Sequence, residues 1–113
     1  MRLQHGELDG SIRLIKLSGA LDINGVGDVE LEFVRLCSGD NVCVLVDLSK
    51  VNYISSIGIP LLINSAKSLV RQGGKMALVN PQKSVENVLE LTGIPLIIPI
   101  YQNMNVAVTE LKK

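Results

Sequence analysis

Two adjacent serines, Ser55 and Ser56, follow the stretch Val44-Leu-Val-Asp-Leu-Ser-Lys-Val-Asn-Tyr-Ile54 and precede Ile57-Gly-Ile-Pro-Leu-Leu62. A strand running through a loop into a helix sets both hydroxyls at the helix mouth, where backbone N–H groups lack intrahelical partners and the macrodipole favours negative charge. A hydroxyl there is either a capping group, serine being a preferred N-cap residue, or an acceptor of a phosphoryl group. Pro60 weighs between the two. Having no N–H, it fits the first helical turn, which puts the N-cap at Ile57 to Ile59 and leaves Ser56 just outside it. Such a hydroxyl is more exposed than a capping oxygen, and this favours chemistry. Gly58 would let another backbone or a kinase come close, and Ile57 and Ile59 frame the site with apolar groups of the kind a binding surface uses.

The other reactive residue types make no constellation. His5 is the only histidine and lies near one end of the chain, so a triad or a histidine-rich metal site would have to be built on a terminal residue. Asp9, Asp22, Asp28, Asp40 and Asp47 are scattered among turns, where aspartate mimics backbone hydrogen bonding. Gly19, Gly25 and Gly27 lack both the dinucleotide-binding and the Walker spacings. Cys37 and Cys43 are too few and too far apart for a redox pair, a zinc ribbon or a disulfide framework, and read as two buried thiols in a reducing cytosol.

The elements that must hold the serines alternate in type. Leu3 to Leu8 and Ser11 to Leu17 flank Asp9-Gly10, a dipeptide suited to a hairpin turn. The turn-forming Ser18 to Gly27 leads to a helix over Asp28 to Cys37, with Val29, Phe33, Leu36 and Cys37 at near-helical spacing. Val42 to Val46 is a continuous apolar run that fits a central strand covered on both faces. The serine-bearing helix covers Ile57 to Gln72 and stops at Gly73-Gly74. Met76 to Val79 is a strand, Asn80-Pro81 supplies an N-cap and a first-turn proline, and a third helix follows with Val85, Val88 and Leu89 inward. Pro95 to Ile100 reads as a short last strand and Asn103 to Lys112 as a terminal helix. The expected fold is α/β, one domain over 1–113, with a mostly parallel sheet, an N-terminal antiparallel hairpin and about four helices.

A chain of 113 residues that is 47% hydrophobic can hold a core without staples. Eleven basic residues balance eleven acidic ones, so nucleic acid and anionic membranes gain no support as partners. No segment reaches the ~18 apolar residues of a membrane span, and the N-terminus lacks a signal-peptide core. A cytoplasmic protein with no cofactor, no metal, no catalysis and no direct membrane insertion is expected.

The chain resembles the STAS domain family, and within it the bacterial anti-sigma factor antagonists. The resemblance rests on Leu17-Ser-Gly-Ala-Leu-Asp22, Val44-Leu-Val-Asp-Leu-Ser49 with Tyr53-Ile-Ser-Ser-Ile-Gly58, and Gly73-Gly-Lys-Met-Ala-Leu-Val-Asn80 with Leu91-Thr-Gly93. It implies a serine that an anti-sigma factor kinase, a histidine-kinase-like ATPase, phosphorylates and a serine phosphatase restores. Unphosphorylated, such a protein binds the anti-sigma factor and frees the sigma factor; phosphorylated, it lets go. The implied acceptor falls on Ser56, with Ser55 as the alternative, and Asp22 matches an acidic residue near it. Many members carry aspartate and a small residue on either side of the acceptor where this chain has Ser55 and Ile57. The expected partner surface is Leu21, Asp22, Ile23, Asn24, Ile57, Gly58, Ile59 and Asn80. The alternative role is a non-switching scaffold subunit in a stress-sensing assembly or a lipid-transport complex.

Overall fold

The computed structural model describes residues 1–113. Strands β1 (Arg2–Leu8) and β2 (Ile12–Leu21) form the antiparallel hairpin, and the Asp9-Gly10 turn takes the positive φ (55° and 74°) that this dipeptide tolerates. Helix α1 (Ile23–Leu36), strand β3 (Cys43–Ile54), helix α2 (Gly58–Arg71), strand β4 (Lys75–Val79) and helix α3 (Lys83–Leu91) follow. A 3-10 turn (Ile94–Leu96), strand β5 (Ile100–Tyr101) and helix α4 (Met104–Leu111) complete the chain.

The sheet runs β1-β2-β3-β4-β5 in sequence order, antiparallel at the first pair and parallel afterwards. Right-handed crossovers that always advance in one direction put every crossover helix on one face. The core agrees. On that face a cluster of 24 buried residues joins Ile15, Val44, Val46 and Leu78 of the sheet to Phe33 of α1, Leu62 of α2 and Val85 and Leu89 of α3. Helix α4 returns across the opposite face over Ile12, Leu45, Ala77 and Val79. Alternate residues of β3 thus enter opposite layers, which is why its apolar run is unbroken.

Several boundaries differ from the sequence reading, β2 among them, which runs on to Leu21 instead of stopping at Leu17. Helix α1 begins at Ile23, not Asp28, because Asp22 caps it: its carboxylate accepts the Gly25 N–H at 2.8 Å. Gly25 and Gly27, poor helix formers, therefore lie inside the helix. Strand β3 continues past Val46 to Ile54, staying paired with β2 through two register shifts. Pro95 to Ile100 is not a strand. Prolines at 95 and 99 cannot donate to a ladder, and the segment forms the 3-10 turn with only Ile100–Tyr101 left to pair. Asn103 caps α4, accepting from the Val106 N–H at 3.1 Å, but the N-cap position of α3 is Gln82 rather than Asn80, and no side chain caps that helix.

No helix is long and apolar enough to cross a membrane. No group of three or more His, Cys, Asp or Glu side chains is placed to hold a metal ion. Cys37 is 1% exposed, and burial, partly offset by the nearby Arg13 charge and a hydrogen bond with Ser65, pushes its thiol up to about 12 from an ordinary 9.0. The unfolded chain ionises this thiol first as pH rises, so its contribution to stability is complete below 9.0 and is lost as pH climbs towards about 12. We expect Cys37 to resist alkylation at neutral pH in the native protein and to react fully in denaturant, as mass spectrometry after iodoacetamide treatment would show. Rapid native labelling of Cys37 would contradict the burial argument.

Candidate functional site

Strands β2 and β3 end side by side, Leu21 opposite Ile54, and each feeds a helix on the same face of the sheet. The N-termini of α1 and α2 are thereby brought together. The junction is held by one carbonyl: Leu21 O accepts the Ser55 N–H at 3.1 Å and the Ser55 hydroxyl at 3.3 Å. Ser55 Oγ in turn accepts the Ile57 N–H at 3.3 Å, and Ser55 O accepts the Gly58 N–H at 3.0 Å. Ser55 is half-buried and committed in both directions.

Ser56 differs. It is exposed, it precedes the N-cap at Ile57, and no side chain caps that helix. Pro60 occupies the first turn, where its missing N–H costs least. The turn has fewer free donors than the sequence suggests, because Ser55 already takes the N–H groups of Ile57 and Gly58. A negative group at Ser56 therefore meets the dipole's field without a cradle of N–H donors. The groove that Ser56 adjoins is lined by Glu30 and by no lysine or arginine.

Gly58 is buried, and the close approach it allows is internal. A Cβ there would stand 2.8 Å from Leu21 Cγ and 3.1 Å from Leu21 O, so the glycine seats α2 on β2 rather than admitting a partner. Leu21 and Ile59, expected at the surface, are 0% and 7% exposed and belong to the core; the inward turn of each strand-to-helix junction takes them there. Asn80 is not brought to the serines either. It follows Val79, which pairs with Asp47, whereas β3 runs on to Ile54, roughly 20 Å further at about 3.3 Å per residue. Gln82, beside it, donates to Ser49 O at 3.0 Å. Of the other residues, Ile23 and Ile57 line one groove with Ser56, while Asp22 caps α1 next to Leu21 and Asn24 is exposed beside Ile23 on the first turn of that helix.

A groove of about 730 Å³ leads away from Ser56 between α1 and α2. Ile23, Val26 and Val34 form one wall, Ile57, Pro60 and Asn64 the other. Starting α1 at Asp28 hides it from a reading of the sequence. The signal is the spacing of Ile23, Gly27, Glu30 and Val34, a second helical stripe beside the one that faces the core.

Comparison with known proteins follows the same lines. The STAS domain profile matches residues 7–107. A Thermotoga maritima protein named as a candidate anti-sigma factor antagonist is 38% identical over 78 residues, 69% of this chain and 68% of its own. The anti-sigma F factor antagonist of Paenibacillus polymyxa is 26% identical over 106 residues, 89% of this chain and 87% of its own. The anti-sigma factor antagonist SpoIIAA in its unphosphorylated form superposes with a TM-score of 0.78 at 16% identity, covering 98% of this chain and 96% of that one. SpoIIAA of Bacillus in its phosphorylated form gives 0.69 at 16% identity, covering 96% and 98%. Likeness at that identity shows the fold alone.

Proposed function

Because the chain belongs to the STAS domain family, we propose that it is an anti-sigma factor antagonist switched by phosphorylation of Ser56, without catalysis of its own. The observation that carries the reading is the division of labour between the two serines. Ser55 is locked to Leu21 O and the Ile57 N–H, while the neighbouring hydroxyl stands exposed at the head of a groove. The relatives named as anti-sigma factor antagonists support the antagonist role.

The unphosphorylated protein binds an anti-sigma factor that is also a serine kinase, laying Ile23, Asn24, Ile57 and the groove against it. Phosphorylation adds about −1.5 to −2 charge. At Ser56 that charge is tolerated by the helix terminus and faces a groove lined by no lysine or arginine, so it remains at the surface and must be desolvated for the partner to stay. The partner leaves, and a serine phosphatase resets the switch.

Calorimetric titration of both forms against the partner kinase tests this. The unphosphorylated protein should bind and the phosphorylated protein should not. Equal affinity of the two forms would replace the switch with a constitutive scaffold role.

A further inference from the structure

A second groove, of about 470 Å³, lies between the C-terminal half of α2 and the 3-10 turn, lined by Ala66, Lys67, Val70, Arg71, Leu96 and Ile97. We propose that it docks an acidic amphipathic segment of a partner protein, which inserts apolar side chains between Val70 and Leu96 and sets carboxylates against Lys67 and Arg71.

The apolar part is unusual for a surface. Val70, Leu96 and Ile97 are 64%, 91% and 46% exposed, and they line one depression instead of being scattered singly. The turn that presents them is held rigidly. Gly93 enters it at a φ of 79°, and Pro95 occupies its first turn. Ile94 and Ile98 are both fully buried, which leaves Leu96 and Ile97 between them facing out. A surface already ordered loses little entropy on binding.

The charges choose the occupant. Lys67 and Arg71 stand one helical turn apart on α2, and neither is within ion-pair reach of a carboxylate. A second copy of this chain fits poorly, because a two-fold contact through the patch brings these cations against their counterparts. An anionic bilayer fits poorly too: the depression is concave, and two cations alone hold a membrane weakly. Carboxylates beside bulky apolar residues satisfy both halves of the groove.

Helix α2 has 14 residues, so this groove lies roughly 20 Å from Ser56 at about 1.5 Å per residue. Both surfaces can be occupied together, and the proposal stands or falls independently of the serine.

The test places a photoreactive benzoylphenylalanine at position 96 in cells that make the protein natively, with position 31, equally exposed on α1, as control. Sequencing of the crosslinked segment should return an acidic, amphipathic stretch of another protein, absent from the position-31 control. The double variant K67E/R71E should lower that crosslink about tenfold or more while its melting temperature stays close to that of the parent. A crosslink to a second copy of this chain or to lipid, none above the control, or one indifferent to charge reversal would overturn the proposal.

Discussion

Ser56→Asp is expected to bind the anti-sigma partner at least about tenfold more weakly than the parent, ~1.4 kcal/mol or more, with its fold intact. A carboxylate carries less charge and fewer acceptor oxygens than a phosphate, so the mimic should fall short of the phosphorylated protein. Ser56→Ala should keep the affinity and lose the switch. The effect must arise at the interface, because a negative group next to the α2 N-terminus is neutral or mildly stabilising for the domain itself. Titration calorimetry with thermal melts of both variants separates binding from stability. Unchanged affinity of a folded Ser56→Asp, together with unchanged affinity of the phosphorylated protein, would leave the scaffold role as the better account.

Gly25→Ala is expected to cost about 3 kcal/mol of stability, at the upper end of the range for overpacking. A Cβ at position 25 would fall on the carbonyl oxygen of Ala20 and 3.4 Å from Asp22 Oδ1. The start of α1 has to lift from β2 to make room, taking the cap and Ile23 with it, so affinity for the partner should fall as well. Gly27→Ala is the matched control. It lies two residues further along the same helix with nothing within 4 Å of the new methyl group, and should stabilise by about 0.5–1 kcal/mol. Urea unfolding of the two variants should shift the midpoint in opposite directions. A similar shift in both would mean that the packing of α1 on β2 is not what fixes this junction.

These two glycines also mark where the sequence is hard to read. By intrinsic propensity Gly25 and Gly27 argue against a helix, and only the fit of Gly25 beneath Ala20 O and the cap from Asp22 explain why α1 starts before them. Tertiary packing overrides local preference there, and the first wall of the Ser56 groove is hidden with it. The element order and the mixed sheet were legible, because apolar runs such as Val42 to Val46 and turn signals such as Asp9-Gly10 and Gly73-Gly74 fall at the boundaries of strands and helices. Proline gave an ambiguous signal. Pro60 puts the N-cap within Ile57 to Ile59, and the helix has it at Ile57, whereas the apolar run from Pro95 to Ile100 reads as a strand that its two prolines do not allow. The position of Asn80 depends on register across a parallel pair, which periodicity does not encode. Leu21 and Ile59 could not be told from exposed apolar neighbours such as Ile23 and Ile57, because at a strand-to-helix junction both periodicities break down.

Ser56 is the proposed phosphoryl acceptor. Incubation with the cognate kinase and ATP, followed by intact-mass measurement and fragment mapping, tests it most directly. One added phosphate on Ser56, absent from Ser56→Ala, is the predicted result; modification at Ser55 alone, or undiminished labelling of Ser56→Ala, would contradict it.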